Sequence, residues 1–321
     1  MTRHHLPTAT DIGLDHHGHY ADRLAKVDGR WSIAHRRARI DWAAPNSLSG
    51  PFHVGRAPNE RPQMSFIRTE KRGAVTIVTL DRPEVMNAVD QAMHHELQAA
   101  FDDFATDPAQ SICVVTGAGA RAFCAGSDLK AIAGGQHGGY PRHGYAGLIE
   151  RFDCPKPFVA AVNGVALGGG FEIALACDLI VATEGARFGL PEPLVGAVAL
   201  GGGLHRLARQ IGLKQAMHMV LTSRMVDAAE GLRLGFVNEV VPAADLDAAV
   251  MRLCATILRG SPMAIRASKE TIHRGLDAPS LAEAIGGQSA YPAFAAWRSS
   301  PDATEGPRAF AEKRPPNWSQ S

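Results

Sequence analysis

Two glutamates have apolar residues or prolines as their neighbours. Glu172 follows a glycine run and lies in the apolar stretch 171–176 (FEIALA), and Glu192 lies between two prolines in 190–194 (LPEPL). A carboxyl group in apolar surroundings is costly unless it is paired or protonated, and burial raises its pKa toward neutrality. Two carboxyls in different environments can divide acid and base duties. The alternative is structural: Glu172 would interact with a helix dipole, and Glu192 would bind loop amides.

Two glycine-containing turns could each present a backbone N–H group at the start of a helix. One is 125–130 (AGSDLK), and the other is 163–172 (NGVALGGGFE), which follows an apolar run. Positive partial charge gathers at helix N-termini, so two such N–H groups aimed at one carbonyl oxygen would form an oxyanion hole, typically worth ~3 kcal/mol per donor. Gly169 would let a substrate approach the chain closely. Alternatively, the glycines of either turn only permit tight packing of a helix against a strand.

A third glycine pattern, 112–122 (ICVVTGAGARA), looks like a dinucleotide-binding fingerprint. That fingerprint needs a long helix beginning at the glycines and an acidic residue at the end of a second strand about 20 residues later. The segment 123–126 (FCAG) interrupts instead, and no such strand follows, so the context does not favour a nucleotide cofactor. Cys124 has no evident base, and a small buried thiol is the better interpretation than a nucleophile.

The elements that must position these residues alternate between strands and helices. Asp90 can cap a helix whose apolar side chains lie at 93, 97, 101 and 104. Apolar runs predict strands at 75–80, 112–116, 158–162 and 179–182. After Gly203 the pattern predicts helices at about 204–221, 227–234, 245–259 and 263–274. Together they predict an α/β fold with parallel strands and crossover connections.

The composition is that of a globular protein with a substantial core. The chain has 321 residues, of which 45% are hydrophobic and 20% charged, and its net charge is +1. This balance argues against nonspecific binding of nucleic acid or of an anionic membrane, and no run of about 18 apolar residues predicts a spanning helix. Five scattered cysteines without a CxxC pattern predict buried thiols in a reducing compartment, and therefore a cytoplasmic protein.

The first 63 residues differ from the rest. They hold seven of the 14 histidines and lack the apolar segment of a secretory signal, and their five Asp and one Glu argue against a transit peptide. The cluster of His16, His17 and His19 could bind a metal, but no acid or cysteine completes a ligand set, which favours a solvated tail. We expect disorder over residues 1–63, and Met64 is an alternative first residue.

Several segments together resemble the crotonase (enoyl-CoA hydratase/isomerase) superfamily. The resemblance covers about residues 66–318, with the motifs in order and at family spacing. The segments are 82–88 (RPEVMNA), 122–130 (AFCAGSDLK), 157–164 (PFVAAVNG), 168–172 (GGGFE), 186–192 (ARFGLPE) and 235–242 (GFVNEVVP). The resemblance implies a spiral of ββα units at 64–250 and a helical C-terminal region at 251–321 that mediates assembly of a trimer or a dimer of trimers.

The resemblance also implies roles for matching residues. The backbone N–H groups of Ser127 and Gly169 would polarise the acyl thioester and stabilise an enolate. Ser127 stands where the family often has alanine, which is tolerable because only its main-chain N–H is required. Glu172 would deprotonate the water that attacks Cβ, while protonated Glu192 would deliver a proton to Cα. The residues expected to contact CoA are Ala88, Ala125, Asp128, Leu129, Lys130 and Lys313.

The implied activity is that of a lyase, the reversible hydration of a 2-enoyl-CoA in fatty acid or related acyl-CoA metabolism. No metal or redox cofactor is implied, because CoA is part of the substrate. The presence of both glutamates favours hydration over other reactions of the family. The alternatives are a Δ3–Δ2 enoyl-CoA isomerase that uses one glutamate as a proton shuttle, and a catalytically weak acyl-CoA-binding or RNA-associated relative.

Two further segments bear on the acyl group. The stretch 302–315 (DATEGPRAFAEKRP), together with 169–172 (GGFE), is similar to the carnitinyl-CoA dehydratase branch, which suggests a branched or polar acyl group such as that of crotonobetainyl-CoA. The segment 198–201 (VALG) departs from the Pro-Gly-type loop that the family usually has after the second glutamate. The shape of the acyl pocket and the placement of Glu192 depend on this loop.

Overall fold

The computed structural model describes residues 16–27, 30–43, 65–135 and 138–319, and the chain divides into two compact units, Met1–Gln63 and Met64–Ser321. In the first unit, β1 (His16–Val27) pairs antiparallel with β2 (Arg30–Ala43). These strands differ from the disorder that we expect for residues 1–63. The histidine side chains of β1 and the rest of this unit lie outside the described residues.

The second unit alternates strands and helices along its first half and is mainly helical afterwards. Its strands are β3 (Ile67–Arg72), β4 (Val75–Leu80), β5 (Ile112–Gly117), β6 (Ala122–Cys124), β7 (Phe158–Val162), β8 (Val165–Leu167), β9 (Leu179–Thr183), β10 (Arg187–Gly189), β11 (Val226–Asp227) and β12 (Glu239–Val241). Its helices are α1 (Gln91–Thr106), α2 (Leu129–Ala133), α3 (Gly169–Ala176), α4 (Gly203–Ile211), α5 (Leu213–Leu221), α6 (Ala228–Leu234), α7 (Leu246–Ile257), α8 (Pro262–Asp277), α9 (Leu281–Gly287), α10 (Pro292–Ser299) and α11 (Asp302–Ala311).

The strands form two sheets through a repeated ββα arrangement. The larger sheet has the order β12-β9-β7-β5-β4-β3, and the smaller has the order β11-β10-β8-β6. Each unit β5-β6-α2, β7-β8-α3 and β9-β10-α4 adds one parallel strand to each sheet before its helix. The chain therefore advances as a spiral, and β6 and β8 lie side by side although their first residues, Ala122 and Val165, are 43 positions apart.

Helix α1 forms as its sequence predicts. The Asp90 carboxylate accepts a hydrogen bond from the Met93 N–H at 2.9 Å and so caps the helix. The apolar stripe, which includes Leu97, Phe101 and Phe104, is buried in the main core. The dinucleotide-like segment also behaves as expected: β5 is followed by β6, where a nucleotide-binding turn would need a long helix.

Two boundaries differ from the expected ones. The helix expected at 204–221 is two helices, α4 and α5, because Gly212 between them has a φ of 82°, in the left-handed region. The expected boundary at residue 250 falls inside α7, whose Leu246, Val250 and Cys254 pack in a core cluster with strand residues. Helix α7 therefore belongs with the sheets, and the outer helical region begins with α8.

Within the described residues, no single helix is long and apolar enough to cross a membrane. The helices Ala243–Ile257 and Pro262–Asp277 reach that length and apolar character only when taken together, and the chain bends by 99° between them. The five cysteines are all free and buried, as predicted. Burial raises the pKa of the Cys124 thiol to about 12, which makes this residue unsuited to act as a nucleophile.

Candidate active site

The two glycine turns come together where β6 and β8 run side by side. Each strand leads through its turn into a helix, α2 or α3. Gly126 has a φ of 93°, and a Cβ atom at this position would lie 2.9 Å from the Leu167 carbonyl oxygen and 3.1 Å from the Gly169 amide nitrogen. A side chain would be strained and crowded there, so glycine is what lets the two turns touch.

The N–H groups of Ser127 and Gly169 find no hydrogen-bond acceptor in the part of the chain that the structure describes. Backbone groups next to Ser127 do form hydrogen bonds: the Val89 N–H donates to Gly126 O at 2.8 Å, and the Asp128 N–H donates to Val89 O at 3.0 Å. Gly169 is the first residue of α3, where a helix leaves its N–H groups without intrahelical partners. Two unpaired N–H groups on adjoining turns can bind one carbonyl oxygen.

Glu172 lies in the first turn of α3 and is only 3% exposed. Its Oε1 accepts a hydrogen bond from the Gly203 N–H, at the start of α4, at 2.9 Å. A Cβ atom at Gly201 would overlap with the carboxylate, so this glycine segment encloses it. Burial raises the pKa of Glu172 to about 7; Glu192 contributes to the increase, and the Gly203 hydrogen bond opposes it.

Glu192 begins a short 3-10 helix, Glu192–Val195, directly after Pro191. Its Oε1 lies 2.9 Å from the position that a Cβ atom of Gly168 would occupy, so the carboxyl is next to the residue that precedes α3. Its Oε2 is buried and has no hydrogen-bond partner within the described residues. Burial raises the pKa of Glu192. A buried carboxyl oxygen without a hydrogen-bond partner is uncommon, and it indicates a group that can bind or exchange a proton with a substrate.

Four of the residues singled out from the sequence therefore lie around the N-terminus of α3: Ser127, Gly169, Glu172 and Glu192. The arrangement combines two hydrogen-bond donors for an oxygen with two carboxyls whose protons are held more tightly than usual. It can bind a carbonyl compound, stabilise negative charge on its oxygen and exchange protons at neighbouring atoms.

The residues expected to contact CoA fall into two groups. Most lie on the segments 86–90 and 125–130, which an isolated bridge between Val89 and Ser127 joins. The Asp128 carboxylate is already engaged, because it caps α2 through the Ala131 N–H at 3.1 Å and pairs with Arg82 at 3.0 Å. The other residues of this set are the buried Ala88, the half-buried Ala125, the exposed Leu129 and Lys130, and the exposed Lys313, which follows α11.

Two residues near this site are absent from the expectations based on sequence, Arg82 and Tyr145. Arg82 pairs with Asp90 at 3.3 Å as well as with Asp128, and it donates to the Ala88 carbonyl at 2.7 Å, so it ties the two segments together. The Ser127 hydroxyl donates to Tyr145 Oη at 3.3 Å. The Arg82–Asp128 and Ser127–Tyr145 contacts join distant parts of the chain, and no local pattern predicts them.

The α/β spiral and its site, with two N–H donors beside two carboxyls, fit a class of enzymes that act on carbonyl compounds. Comparison with known proteins identifies the family. Residues 70–321 match the family model described as enoyl-CoA hydratase/isomerase. The chain belongs to this family, as its sequence motifs predict. Within the described residues no cluster of three or more His, Cys, Asp or Glu side chains could hold a metal ion.

Individual relatives and solved structures show which members of the family this chain is similar to. The carnitinyl-CoA dehydratase of Proteus mirabilis is 42% identical over 254 residues, which cover 77% of this chain and 95% of the relative. The crystal structure of an enoyl-CoA hydratase from Mycobacterium tuberculosis is 37% identical with a TM-score of 0.75, covering 80% of this chain and all of that one. A crystal structure of a carnitinyl-CoA hydratase from Mycobacterium avium is 40% identical with a TM-score of 0.64, and the match covers 80% of this chain and 99% of that one. The α/β crotonase fold and the hydro-lyase class are confirmed.

Proposed function

We propose that the protein catalyses the reversible addition of water across the 2,3 double bond of a 2-enoyl-CoA with a short polar or branched acyl group. The observation that carries this proposal is the buried Glu172 and the half-buried Glu192 beside the unpaired N–H groups of Ser127 and Gly169. Hydration of an enoyl thioester needs an acid, a base and a place for negative charge on the thioester oxygen, and this site has groups for each.

The reaction follows from these groups. The N–H groups of Ser127 and Gly169 would hold the thioester oxygen, and water would attack Cβ as electrons move from the double bond to that oxygen. Each donor to the resulting enolate is worth ~3 kcal/mol. Ionised Glu172 takes a proton from the attacking water, and protonated Glu192 gives a proton to Cα. The pair carries one proton before and after the reaction.

In the reverse reaction, dehydration, Glu172 begins with the proton and Glu192 is ionised. Protonated Glu172 assists departure of the hydroxyl group from Cβ, while ionised Glu192 removes the proton from Cα. The pKa of Glu172 near 7 supports this use, because a buried carboxyl with such a pKa can act as an acid or a base close to neutral pH. The charge on Glu192 contributes to the raised pKa of Glu172.

Other properties belong to the same proposal. Relatives named carnitinyl-CoA dehydratase or hydratase support an acyl group like that of crotonobetainyl-CoA. We propose that no metal or redox cofactor takes part, and that the protein is cytoplasmic, which its five free and buried thiols support. We also propose a trimer or a dimer of trimers. Exposed apolar side chains on the outer helices support it: Ile272, Leu276, Leu281, Ile285 and Phe310.

The test mixes the purified protein with crotonyl-CoA and, separately, crotonobetainyl-CoA. Hydration removes the absorbance of the conjugated thioester, and the product gains the mass of one water. We expect Glu172→Gln and Glu192→Gln to reduce kcat by ~10²–10⁴-fold, because each loses a proton-transfer group, while affinity for the acyl-CoA stays nearly unchanged. Glu184→Gln, at an exposed glutamate after β9, is the matched control and should keep the wild-type rate.

Near wild-type rates in both site variants would contradict the acid–base assignment. A protein that converts 3-enoyl-CoA to 2-enoyl-CoA but does not hydrate either substrate would be an isomerase, using one carboxyl to move a proton between two carbon atoms. Tight binding of acyl-CoA without turnover of any of these substrates would indicate a binding protein.

A further inference from the structure

Tyr145 places a phenol next to the two residues that would form the oxyanion hole. Its side chain is only 3% exposed, and the Ser127 hydroxyl donates to Tyr145 Oη at 3.3 Å. A Cβ atom at Gly169 would overlap with the Tyr145 hydroxyl and the adjoining ring carbons, so the phenol lies directly on the Gly169 backbone. The hydroxyl thus contacts both residues whose N–H groups are unpaired, and the proposed hydration gives it no role yet.

The chain around Tyr145 adopts backbone angles that L-residues rarely have. Gly144, Ala146 and Gly147 have φ values of 71°, 56° and 63°. For Ala146 this conformation is strained, because its Cβ approaches the following carbonyl oxygen. Backbone strain persists only where the surrounding structure imposes it, and it is concentrated at functional sites. The strain at Ala146, directly after Tyr145, indicates that the position of this side chain is closely determined.

His94, on α1, holds this segment in place. The Ala146 N–H donates to His94 Nδ1 at 2.9 Å, and the His94 and Tyr145 rings pack edge to face with their centroids 4.6 Å apart. Burial lowers the pKa of His94 to about 4, so the imidazole is neutral at pH 7 and Nδ1 can accept this bond. Burial raises the pKa of Tyr145 well above its ordinary value, so the phenol keeps its proton.

We propose that Tyr145 is a further catalytic residue, whose hydroxyl donates a third hydrogen bond to the thioester oxygen of the substrate. This inference rests on the proposed hydration through an enolate. Because Ser127 Oγ donates to the phenol oxygen, the phenol proton is available for the substrate, and the first bond polarises the second. The new bond strengthens as negative charge grows on the thioester oxygen, so it favours the transition state over the bound substrate. Tyr145 keeps its proton throughout.

Tyr145→Phe tests this role, because it removes the hydroxyl and keeps the ring that packs on His94. With crotonyl-CoA we expect kcat to fall by ~10²-fold, the effect of losing one oxyanion donor, and KM to change by less than about threefold. Tyr140→Phe is the matched control. The Tyr140 ring packs on the rings of His94 and Tyr145, but it is 61% exposed, and its variant should keep the wild-type kcat.

A second measurement follows binding of acetoacetyl-CoA, whose enolate resembles the charged intermediate and absorbs in the near ultraviolet. The wild-type protein should stabilise the bound enolate, and Tyr145→Phe should bind it at least about tenfold more weakly, because a donor to its oxygen is missing. A ring that only filled space would leave this enolate signal unchanged, since phenylalanine fills the same space.

Wild-type kcat together with wild-type enolate affinity in Tyr145→Phe would overturn the inference. A loss of activity confined to substrates with a polar acyl group would also overturn it, because the hydroxyl would then recognise the acyl end and not the thioester. If the wild-type protein hydrated no 2-enoyl-CoA, the proposed function would fail separately. The enolate titration would still decide the role of Tyr145, since equal affinities in wild type and variant would reject it.

Discussion

Glu172 and Glu192 have the same side chain, and their neighbours make them different. Glu172 is enclosed by the apolar residues of α3 and by Gly201, and its carboxylate accepts one hydrogen bond, from Gly203. Glu192 is half-buried in a short 3-10 helix, and one of its oxygens has no partner within the described residues. Burial favours the protonated form of each, and the charge on Glu192 further raises the pKa of Glu172. Each carboxyl therefore keeps its proton to a higher pH than an exposed glutamate does.

We expect kcat/KM for crotonyl-CoA hydration to have a bell-shaped pH profile and to rise as the pH rises through about 7. Glu172 must be ionised to take a proton from water, and its pKa is raised to about 7. At higher pH Glu192, which must be protonated to give a proton to Cα, loses that proton, and the rate falls again. Because kcat/KM reports the free enzyme, initial rates at low substrate from about pH 5 to about pH 9 check this. A rate that keeps rising to the alkaline end would contradict it.

At the scale of elements, strand pairing brings the proposed catalytic groups together. β6 and β8 are adjacent in the small sheet, so the turns that follow them are adjacent too. Helices α3 and α4 then supply Glu172 and the Gly203 N–H that it binds. Since each helix begins beside the site, the unpaired N–H groups and positive partial charge of helix N-termini are available to the thioester oxygen and to the carboxylate.

Gly126→Ala should reduce kcat, while Gly73→Ala should not. Both glycines have positive φ, 93° and 60°, so alanine at either should lower the free energy of unfolding by about 1–2 kcal/mol. Only at Gly126 would the new Cβ also crowd Leu167 O and the Gly169 amide, because nothing lies within 4 Å of that position at Gly73. Urea unfolding and crotonyl-CoA kinetics measure the two effects separately. Equal kcat in both variants would mean that the spacing of the turns does not control the reaction.

At the scale of the molecule, the outer helices have an apolar surface that the single chain leaves open. Helices α9 and α10 contain no buried residues, and the Leu281 and Phe310 side chains are 76% and 88% exposed. The proposed catalytic pair, Glu172 and Glu192, lies on the spiral part of the same unit, in α3 and just after β10. Large apolar side chains this exposed support the proposed contacts between subunits.

We expect the protein to elute as a trimer or a multiple of it, and Leu281→Arg to shift it toward smaller species. A charged side chain cannot be buried in an apolar contact without a large desolvation penalty. Leu232→Arg, which also alters an exposed leucine but on α6, is the control. Light scattering coupled to size-exclusion chromatography gives the mass directly. A wild-type monomer, or an unchanged assembly in Leu281→Arg, would contradict the expected role of this region.

The amino-acid sequence by itself determined the features that depend on local pattern. Apolar periodicity and Asp90 were enough to predict α1, apolar runs predicted β4, β5, β7 and β9, and the glycine turns marked the starts of α2 and α3. These predictions hold because side-chain period, capping and turn chemistry act over only a few residues. The motifs and their order were also sufficient to identify the family.

The tertiary structure alone decided which groups meet. Gly203 binds Glu172 across 31 residues, and His94 binds Ala146 across 52, and neither pairing has a local signal. The place of α7 beside the sheets was likewise decided by long-range packing. Burial, which raises the pKa of Glu172 and fixes Tyr145, is a property of everything that surrounds a residue. It exists only once distant segments have folded against one another.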